Sequence, residues 1–418
     1  GMGSAPRDVG WLVYFVLLLN GLGVLLPWNM FMTIAPQYYV TYWFTGPNGT
    51  STDYSVQFMA TSGLVAQVPN LLVNIVNIFL VIGGSLLLRL YAPLILNCLN
   101  VLIVLILVVA VDPSEDAMGW FYIVTLVIVA VLNASNGLYQ NTIFGICSDF
   151  PPQYTNAVVL GNNVCGIFIA LINIACTEIF DNVKTIAIIY FSISLASLVA
   201  CAVLLVFGTR TPFYKHYIAA GEKARAEQST EKPSFTQYVE CFKSCWVQLF
   251  CVFFTFFVSL SLFPSVMVKI PVMMEEGEEW SFFIPEKQYV NLTTFLNFNL
   301  FAFLGSLAAN FIQFPSERFL WIPVLARVLF IPFFMFMNYS PETRTWAVLL
   351  DSPWYFIPAV TLLALSHGYL YSLGMMYTPK VVPPHLSMIA GKASAMCLIL
   401  GITCACAFVF AIEAMIRS

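Results

Sequence analysis

The chain has 418 residues, of which 60% are hydrophobic and 9% are charged, and its mean hydropathy is +0.85. Soluble domains carry about 25% charged residues, so this composition predicts an all-α polytopic membrane protein embedded in a lipid bilayer. The net charge of -4 and the absence of a long basic run argue against a nucleic-acid partner.

Windows of about 20 apolar residues predict eleven transmembrane helices. They lie near residues 11–35, 57–82, 91–111, 118–146, 154–178, 185–208, 242–268, 288–313, 319–338, 354–378 and 387–415. The first run is longer than the core of a signal peptide and has no cleavage site, so it counts as a span. We predict a six-helix bundle in residues 1–208, a cytoplasmic linker at 209–240 and a five-helix bundle in 241–418.

The positions of Lys and Arg predict the orientation, because cytoplasmic loops carry an excess of both. With the N-terminus in the cytoplasm, eleven of them fall on inner loops and five on outer ones. The C-terminus then lies outside, and so does the sequon Asn48-Gly49-Thr50, which can be glycosylated there.

Amide side chains recur inside the predicted spans, where an unpaired polar group is costly. The second span carries Gln67, Asn70, Asn74 and Asn77 at spacings that share one helical face. Further amides include Asn133, Asn136, Gln140 and Asn141 in the fourth span, Asn156, Asn162 and Asn163 in the fifth, and Asn297, Asn299 and Asn310 in the eighth. They either join helices, at about 0.6 kcal/mol each, or line a path for an uncharged solute.

Residues 21–32 place Pro27, Trp28 and Asn29 within the first apolar run. Helix-breaking residues such as proline and glycine are tolerated at membrane depth where neighbouring protein or water forms hydrogen bonds with the backbone groups that they leave unpaired. The segment is either a cavity wall, with Trp28 stacking on a flat solute, or an interfacial anchor with close helix packing.

Two basic residues lie deeper inside predicted spans than the others, Arg327 in the ninth and His367 in the tenth. Each either serves transport or is hydrogen-bonded within the bundle. The sequence has no phosphate-binding loop, zinc pattern or nucleophile elbow, so we expect neither an enzyme nor a cofactor.

Several stretches in order resemble the equilibrative nucleoside transporter family. They are residues 21–32 (GLGVLLPWNMFM), 140–145 (QNTIFG), 292–296 (LTTFL) with Asn299, 312–315 (IQFP), 326–332 (ARVLFIP), 366–370 (SHGYL) and 377–383 (YTPKVVP). The resemblance covers both halves of the chain. It implies a major-facilitator-like bundle of six plus five helices that moves nucleosides or nucleobases down their gradient by alternating access, most simply in the plasma membrane.

The resemblance also implies a substrate site. Trp28 and Met32 would line the cavity from the first span, and Gln67 and Asn70 from the second. Asn162 falls where relatives carry a purine-contacting glutamine. Asn299 matches the family asparagine, and we add Ser306 and His367 to the predicted site.

The eighth span departs from the family pattern. Relatives carry an aspartate and an arginine there that contact the sugar, and this chain has Ala302 and Ser306 in the same frame. Losing both charges avoids leaving one of them buried alone, but it removes charge-assisted hydrogen bonds to ribose. Three hypotheses follow: a facilitative nucleoside transporter, a transporter of another small polar solute or organic cation, and a ligand-binding relative without flux.

Overall fold

The computed structural model describes residues 4–80, 85–228 and 232–418. Within these ranges the α-helices are α1 (Leu12–Ala35), α2 (Asp53–Phe79), α3 (Leu86–Ala110), α4 (Met118–Cys147), α5 (Pro152–Ile179), α6 (Val183–Thr209), α7 (Pro212–Glu227), α8 (Phe235–Leu262), α9 (Asn297–Ala308), α10 (Trp321–Ala326), α11 (Phe330–Met335), α12 (Pro353–Tyr377) and α13 (Ser387–Arg417). Helices suit such an apolar chain because they satisfy their backbone polar groups internally. A π-helix, Pro36–Trp43, continues α1, and another, Asn291–Leu296, precedes α9.

Side-chain caps fix where several helices begin. Thr52 accepts a hydrogen bond from the backbone of Ser55, and the Ser55 side chain binds the backbone of Thr52 in return. Ser234 and Gln237 form the same reciprocal pair at the start of α8. These caps satisfy backbone donors that the first helical turn leaves free, at the level where the chain leaves the apolar region.

In the described residues, ten helical segments are long and apolar enough to cross a membrane, and an eleventh apolar segment, Trp321–Met335, is shorter. This segment replaces the predicted ninth span, and a 3-10 turn at Arg327–Leu329 divides it into α10 and α11. Proline at position 332 has no N–H to donate to the carbonyl of Val328, which explains why a regular helix is interrupted there. The predicted count of eleven is therefore approximate.

The helices pack as two groups. In the first, α1 packs on α5 and α6, α2 packs on α4, and α3 packs on α4 and α6. In the second, α8 packs on α13 and α12, and α9 packs on α12. The groups meet where α4 and α2 contact α13 and where α5 contacts α9 and α12. The described part of the protein is therefore all-α, with two helix groups that face each other across one interface.

Glycines allow the closest helix crossings. A Cβ atom on Gly161 of α5 would overlap the carbonyl oxygen of Leu18 on α1. A Cβ atom on Gly368 of α12 would overlap the carbonyl oxygen of Ala302 on α9. In a membrane, such backbone approach replaces the hydrophobic effect as a source of helix association. It fixes α5 and α12, the two helices that carry the candidate site.

Candidate functional site

The centre of the interface between the two groups contains a cluster that we call the amide–histidine cluster: Asn162, Phe256, His367 and Tyr371. Asn162 comes from α5, Phe256 from α8, and the other two from α12. Nδ2 of Asn162 donates a hydrogen bond to the Tyr371 hydroxyl at 3.1 Å. The ring of Phe256 meets the rings of Tyr371 and His367 edge-on, with centroids 4.5 Å and 4.9 Å away. The cluster therefore joins both helix groups.

Two polar atoms of this cluster lack a partner. Oδ1 of Asn162 and Nδ1 of His367 are buried, and neither atom makes a hydrogen bond of ordinary geometry to a described residue, although the backbone of Thr255 lies close to the His367 ring. The hydroxyls of Thr255 and Ser372, which neighbour cluster residues in sequence, are also buried without a described partner. Buried polar atoms are normally paired, because leaving one unpaired costs about 1–3 kcal/mol. This concentration of unmet hydrogen-bonding capacity suits a polar, uncharged ligand.

Beside the cluster, Ser306 holds the two helix groups together. Its hydroxyl accepts a hydrogen bond from Nδ2 of Asn163 at 2.7 Å and donates one to the carbonyl of Gly368 at 2.9 Å. Asn299, two turns before Ser306 on α9, donates to the carbonyl of Phe295 at 2.8 Å and packs against Gly166. Ala302 lies against Gly368 of α12. Because Ala302 and Ser306 are both small, α9 can pack closely against α12 at these positions.

The predicted residues of the first two spans have other contacts. Trp28 is half-buried and stacks on Phe31, with ring centroids 5.3 Å apart and an interplanar angle of 13°. Met32 is also half-buried and packs against the core of the first group. The neighbour of Trp28, Asn29, lies close to Cys165 of α5, three residues beyond Asn162. Among the described residues, the ring of Trp28 stacks on Phe31 and on no ring of the amide–histidine cluster.

The polar face of α2 reaches α4 and α13. Oε1 of Gln67 accepts a hydrogen bond from the hydroxyl of Thr403 at 3.3 Å. Asn70 accepts one from Asn74, whose own Oδ1 accepts one from Asn141 of α4 at 2.8 Å. The structure therefore brings Asn162, Ser306 and His367 to one place, and it engages Gln67 and Asn70 in a separate chain of amides.

Arg327 is 3% exposed and has four acceptors. Its guanidinium donates to the hydroxyls of Ser366 at 2.9 Å and Ser259 at 2.5 Å. It also donates to the carbonyls of Thr255 at 3.1 Å and Leu363 at 3.2 Å. The planar guanidinium group thereby holds the interrupted segment α10–α11 against both α8 and α12. These contacts favour the structural interpretation of Arg327 over a contact with solute.

Sequence reasoning missed Tyr371 and Phe256. Tyr371 lies four residues after His367, so both share one face of α12, and this spacing was a usable signal. Phe256 belongs to a phenylalanine-rich helix in which nothing in the sequence distinguishes it from its neighbours. Within the described part of the chain, no group of three or more His, Cys, Asp or Glu residues could hold a metal ion.

One end of the bundle, which we call the linker end, carries α7 and the turns α4–α5 and α12–α13. There, Nζ of Lys380 donates to the carbonyls of Ser148 at 3.0 Å and Phe150 at 2.7 Å, which joins the two groups. Asp149, between those two acceptors, forms an ion pair with Arg225 of α7 at 3.1 Å. Burial raises the pKa of the Asp149 carboxyl, although the positive charge of Arg225 acts in the opposite direction.

Hydrogen bonds between the groups are denser at the linker end and the centre than at the opposite end. At that opposite end, Asn173 donates to Asn291 at 3.1 Å and Gln288 donates to Glu178 at 2.7 Å. Towards the linker end, Asn156 donates to both Ser306 and Asn310, which in turn binds Tyr14. The described contacts therefore close the linker end.

Comparison with known proteins decides the family. A family model described as "Nucleoside transporter" matches residues 126–414. The chain belongs to the nucleoside transporter family. It is 27% identical to equilibrative nucleoside transporter 2 of Homo sapiens, with 99% of each chain covered. It is 28% identical to equilibrative nucleoside transporter 1 of Rattus norvegicus, with 97% of each covered.

This nucleoside transporter family member is also similar to a plant protein and to one solved structure. The chain is 25% identical to equilibrative nucleotide transporter 1 of Arabidopsis thaliana over 96% of its length and 85% of the relative. The crystal structure of FucP, a major facilitator superfamily transporter in the outward conformation, matches with a TM-score of 0.57 and 12% identity. That match covers 96% of this chain and 91% of FucP. It confirms the predicted major-facilitator-like fold.

Proposed function

We propose that this family member moves nucleosides or related nucleobases down their gradient by alternating access. The observation that carries the proposal is the pair of unpartnered polar atoms, Oδ1 of Asn162 and Nδ1 of His367, at the interface between the helix groups. The names of the relatives support the substrate class, and the two-group architecture supports rocking around a central site. The moving units are residues 1–208 and 241–418, connected by 209–240.

The substrate site contains Trp28, Met32, Gln67, Asn70, Asn162, Asn299, Ser306 and His367. Asn162 and His367 supply an acceptor and a ring nitrogen for the polar edge of the base. Trp28 offers an aromatic face for stacking, with Met32 one helical turn away. Ser306 accepts a hydrogen bond from Asn163, the residue after Asn162, and Asn299 contacts Gly166 one turn further along α5. Recognition then depends on neutral amides and rings.

The membrane orientation belongs to the same proposal. Placing the N-terminus and α7 in the cytoplasm puts Arg210, Lys215 and Lys223 on the inner side, as the excess of cytoplasmic Lys and Arg predicts. Asn48 then lies outside on an exposed turn, where glycosylation is sterically open. The plasma membrane is the compartment in which such a carrier meets extracellular nucleosides.

Uptake by purified protein in proteoliposomes tests the proposal. We expect saturable, non-concentrative nucleoside uptake that Asn162→Ala and Trp28→Ala weaken, each raising KM about tenfold through a lost hydrogen bond or lost stacking. Asn133→Ala is the control for a buried amide, because among the described residues Asn133 donates to the carbonyl of Val129 in its own helix and to no other group. Trp246→Ala is the control for an indole, because Trp246 is exposed on α8. Absence of nucleoside-dependent flux contradicts the proposal.

A further inference from the structure

A polar cavity of about 350 Å³ lies at the linker end, apart from the amide–histidine cluster. Its lining includes Arg89 of α3, Arg225 of α7, Tyr238 of α8 and Lys392 of α13. The walls therefore come from both helix groups and from the linker helix. The volume is within the range of small-molecule sites, which is about 300–1,000 Å³.

The charge of this cavity is predominantly positive. Arg89, Arg225 and Lys392 line it together with one carboxylate, the exposed Glu222, and Arg225 is already paired with Asp149. Lys392 experiences repulsion from both arginines. Like charges that converge in a partly closed space raise the free energy of the protein unless an anion joins them.

Two of the cationic groups have unused donors. Nε of Arg89 is buried and no described residue accepts its hydrogen. Lys392 is 7% exposed, and its Nζ atom has one long hydrogen bond, 3.4 Å, to the carbonyl of Asn77. An ammonium group has three donors and a guanidinium five, so both side chains retain capacity for a ligand. The cavity therefore offers unused hydrogen-bond donors to an acceptor-rich anion.

A neighbouring hydrogen-bond acceptor restricts the kind of ligand that the cavity can bind. Asn77 also lines the cavity, and its buried Oδ1 atom has no described partner. An amide oxygen repels an anionic oxygen and binds a hydroxyl. Arginine and lysine together bind phosphate with charge-assisted hydrogen bonds.

We propose that this cavity binds a phosphate-bearing ligand that also carries hydroxyl groups, with Arg89 and Lys392 holding the phosphate and Asn77 a hydroxyl. The ligand is either a soluble polyol phosphate or the headgroup of a phosphorylated lipid. Because Arg89 and Lys392 belong to different helix groups, a bound ligand joins those groups and stabilises the arrangement in which the linker end is closed. This site is independent of the proposed substrate site.

Thermal unfolding of the full chain in nanodiscs at low salt tests the proposal. One arm adds inositol trisphosphate to phosphatidylcholine nanodiscs, and the other uses nanodiscs that contain phosphatidylinositol bisphosphate. We expect a saturable rise in the unfolding midpoint in at least one arm, weakened about tenfold in apparent affinity by Arg89→Gln and by Lys392→Gln. A rise in the first arm identifies a soluble ligand, and a rise in the second alone identifies a lipid headgroup.

Two further variants separate the site from general electrostatics. Lys223→Gln removes an exposed charge from α7 outside the cavity lining and should leave binding unchanged. Arg89→Lys keeps the charge and should retain part of the binding. No saturable rise for the wild-type protein in either arm overturns the proposal, and so does an equal loss in Arg89→Gln and Lys223→Gln. The readout needs no flux, so its failure is distinguishable from failure of the proposed transport function.

Discussion

At the scale of single residues, Arg327 shows how a charge is accommodated inside this apolar bundle. Its four acceptors are two hydroxyls and two carbonyls from α8 and α12, and the described ion pairs include none at this position. Hydroxyl and carbonyl dipoles from two helices therefore stabilise the positive charge of Arg327, as a carboxylate does in an ion pair. The arrangement explains how an arginine is accommodated in the short apolar segment Trp321–Met335.

We expect Arg327→Met to lower stability by about 2–3 kcal/mol, because the buried hydroxyls and carbonyls around it would each lose one hydrogen bond. Thermal unfolding of the purified protein measures the effect. Arg327→Lys should recover only part of the loss, since one ammonium cannot reproduce the planar fork.

Arg318→Met is the matched control for Arg327. Arg318 is exposed and stacks over Phe319, so its removal should change stability by less than about 1 kcal/mol. Normal stability of Arg327→Met together with lost nucleoside uptake would show instead that Arg327 contacts the solute.

At the scale of helices, close crossings depend on single glycines. At Gly161 the atom that a methyl group would meet is a backbone oxygen of Leu18, which cannot rotate away as a side chain can. The crossing of α1 and α5 positions Asn162, the next residue. Packing between these helices therefore determines the geometry of the proposed site.

Gly161→Ala should reduce stability by at least about 2 kcal/mol, because α1 and α5 must separate to make room for the added methyl group. Gly63→Ala is the control within a helix, since a Cβ atom there meets nothing within 4 Å. That change should be neutral or stabilising by up to about 1 kcal/mol. Equal unfolding midpoints for the two variants would contradict the packing argument.

The sequence predicts some features of this architecture and not others. Long apolar runs predict spans because lipid leaves the backbone few alternatives to a helix. The break at Arg327–Leu329 was missed, although Pro323 and Pro332 flank it, because prolines in membrane helices often leave only a kink. The pairing of Asn162 with Tyr371 connects residues 209 positions apart. No local pattern encodes such a contact, since it depends on how two helices rotate about their axes.

At the scale of the whole molecule, Lys380 connects the helix groups at the linker end. Its two acceptors are backbone carbonyls on either side of Asp149. Alternating access requires this contact to break whenever the linker end opens. Cys147, at the end of α4 beside this turn, is fully buried while the contact holds.

We expect Lys380→Met to raise the alkylation rate of Cys147 about fivefold, which corresponds to about 1 kcal/mol in favour of the open linker end. Peptide-resolved mass spectrometry after treatment with a maleimide measures that rate. Lys287→Met, an exposed lysine before α9, should leave it unchanged. An unaltered rate in Lys380→Met would mean that other contacts hold the linker end closed.

The divided segment α10–α11 has a consequence for how the protein is made. Fifteen residues in helical geometry extend about 22 Å, which is less than the roughly 30 Å of the hydrocarbon core. As the chain leaves the ribosome, Arg327 emerges before α12, which provides two of its acceptors, Ser366 and Leu363. We therefore expect stable insertion of this segment to wait for synthesis of α12, so that α10, α11 and α12 enter the membrane together rather than one at a time.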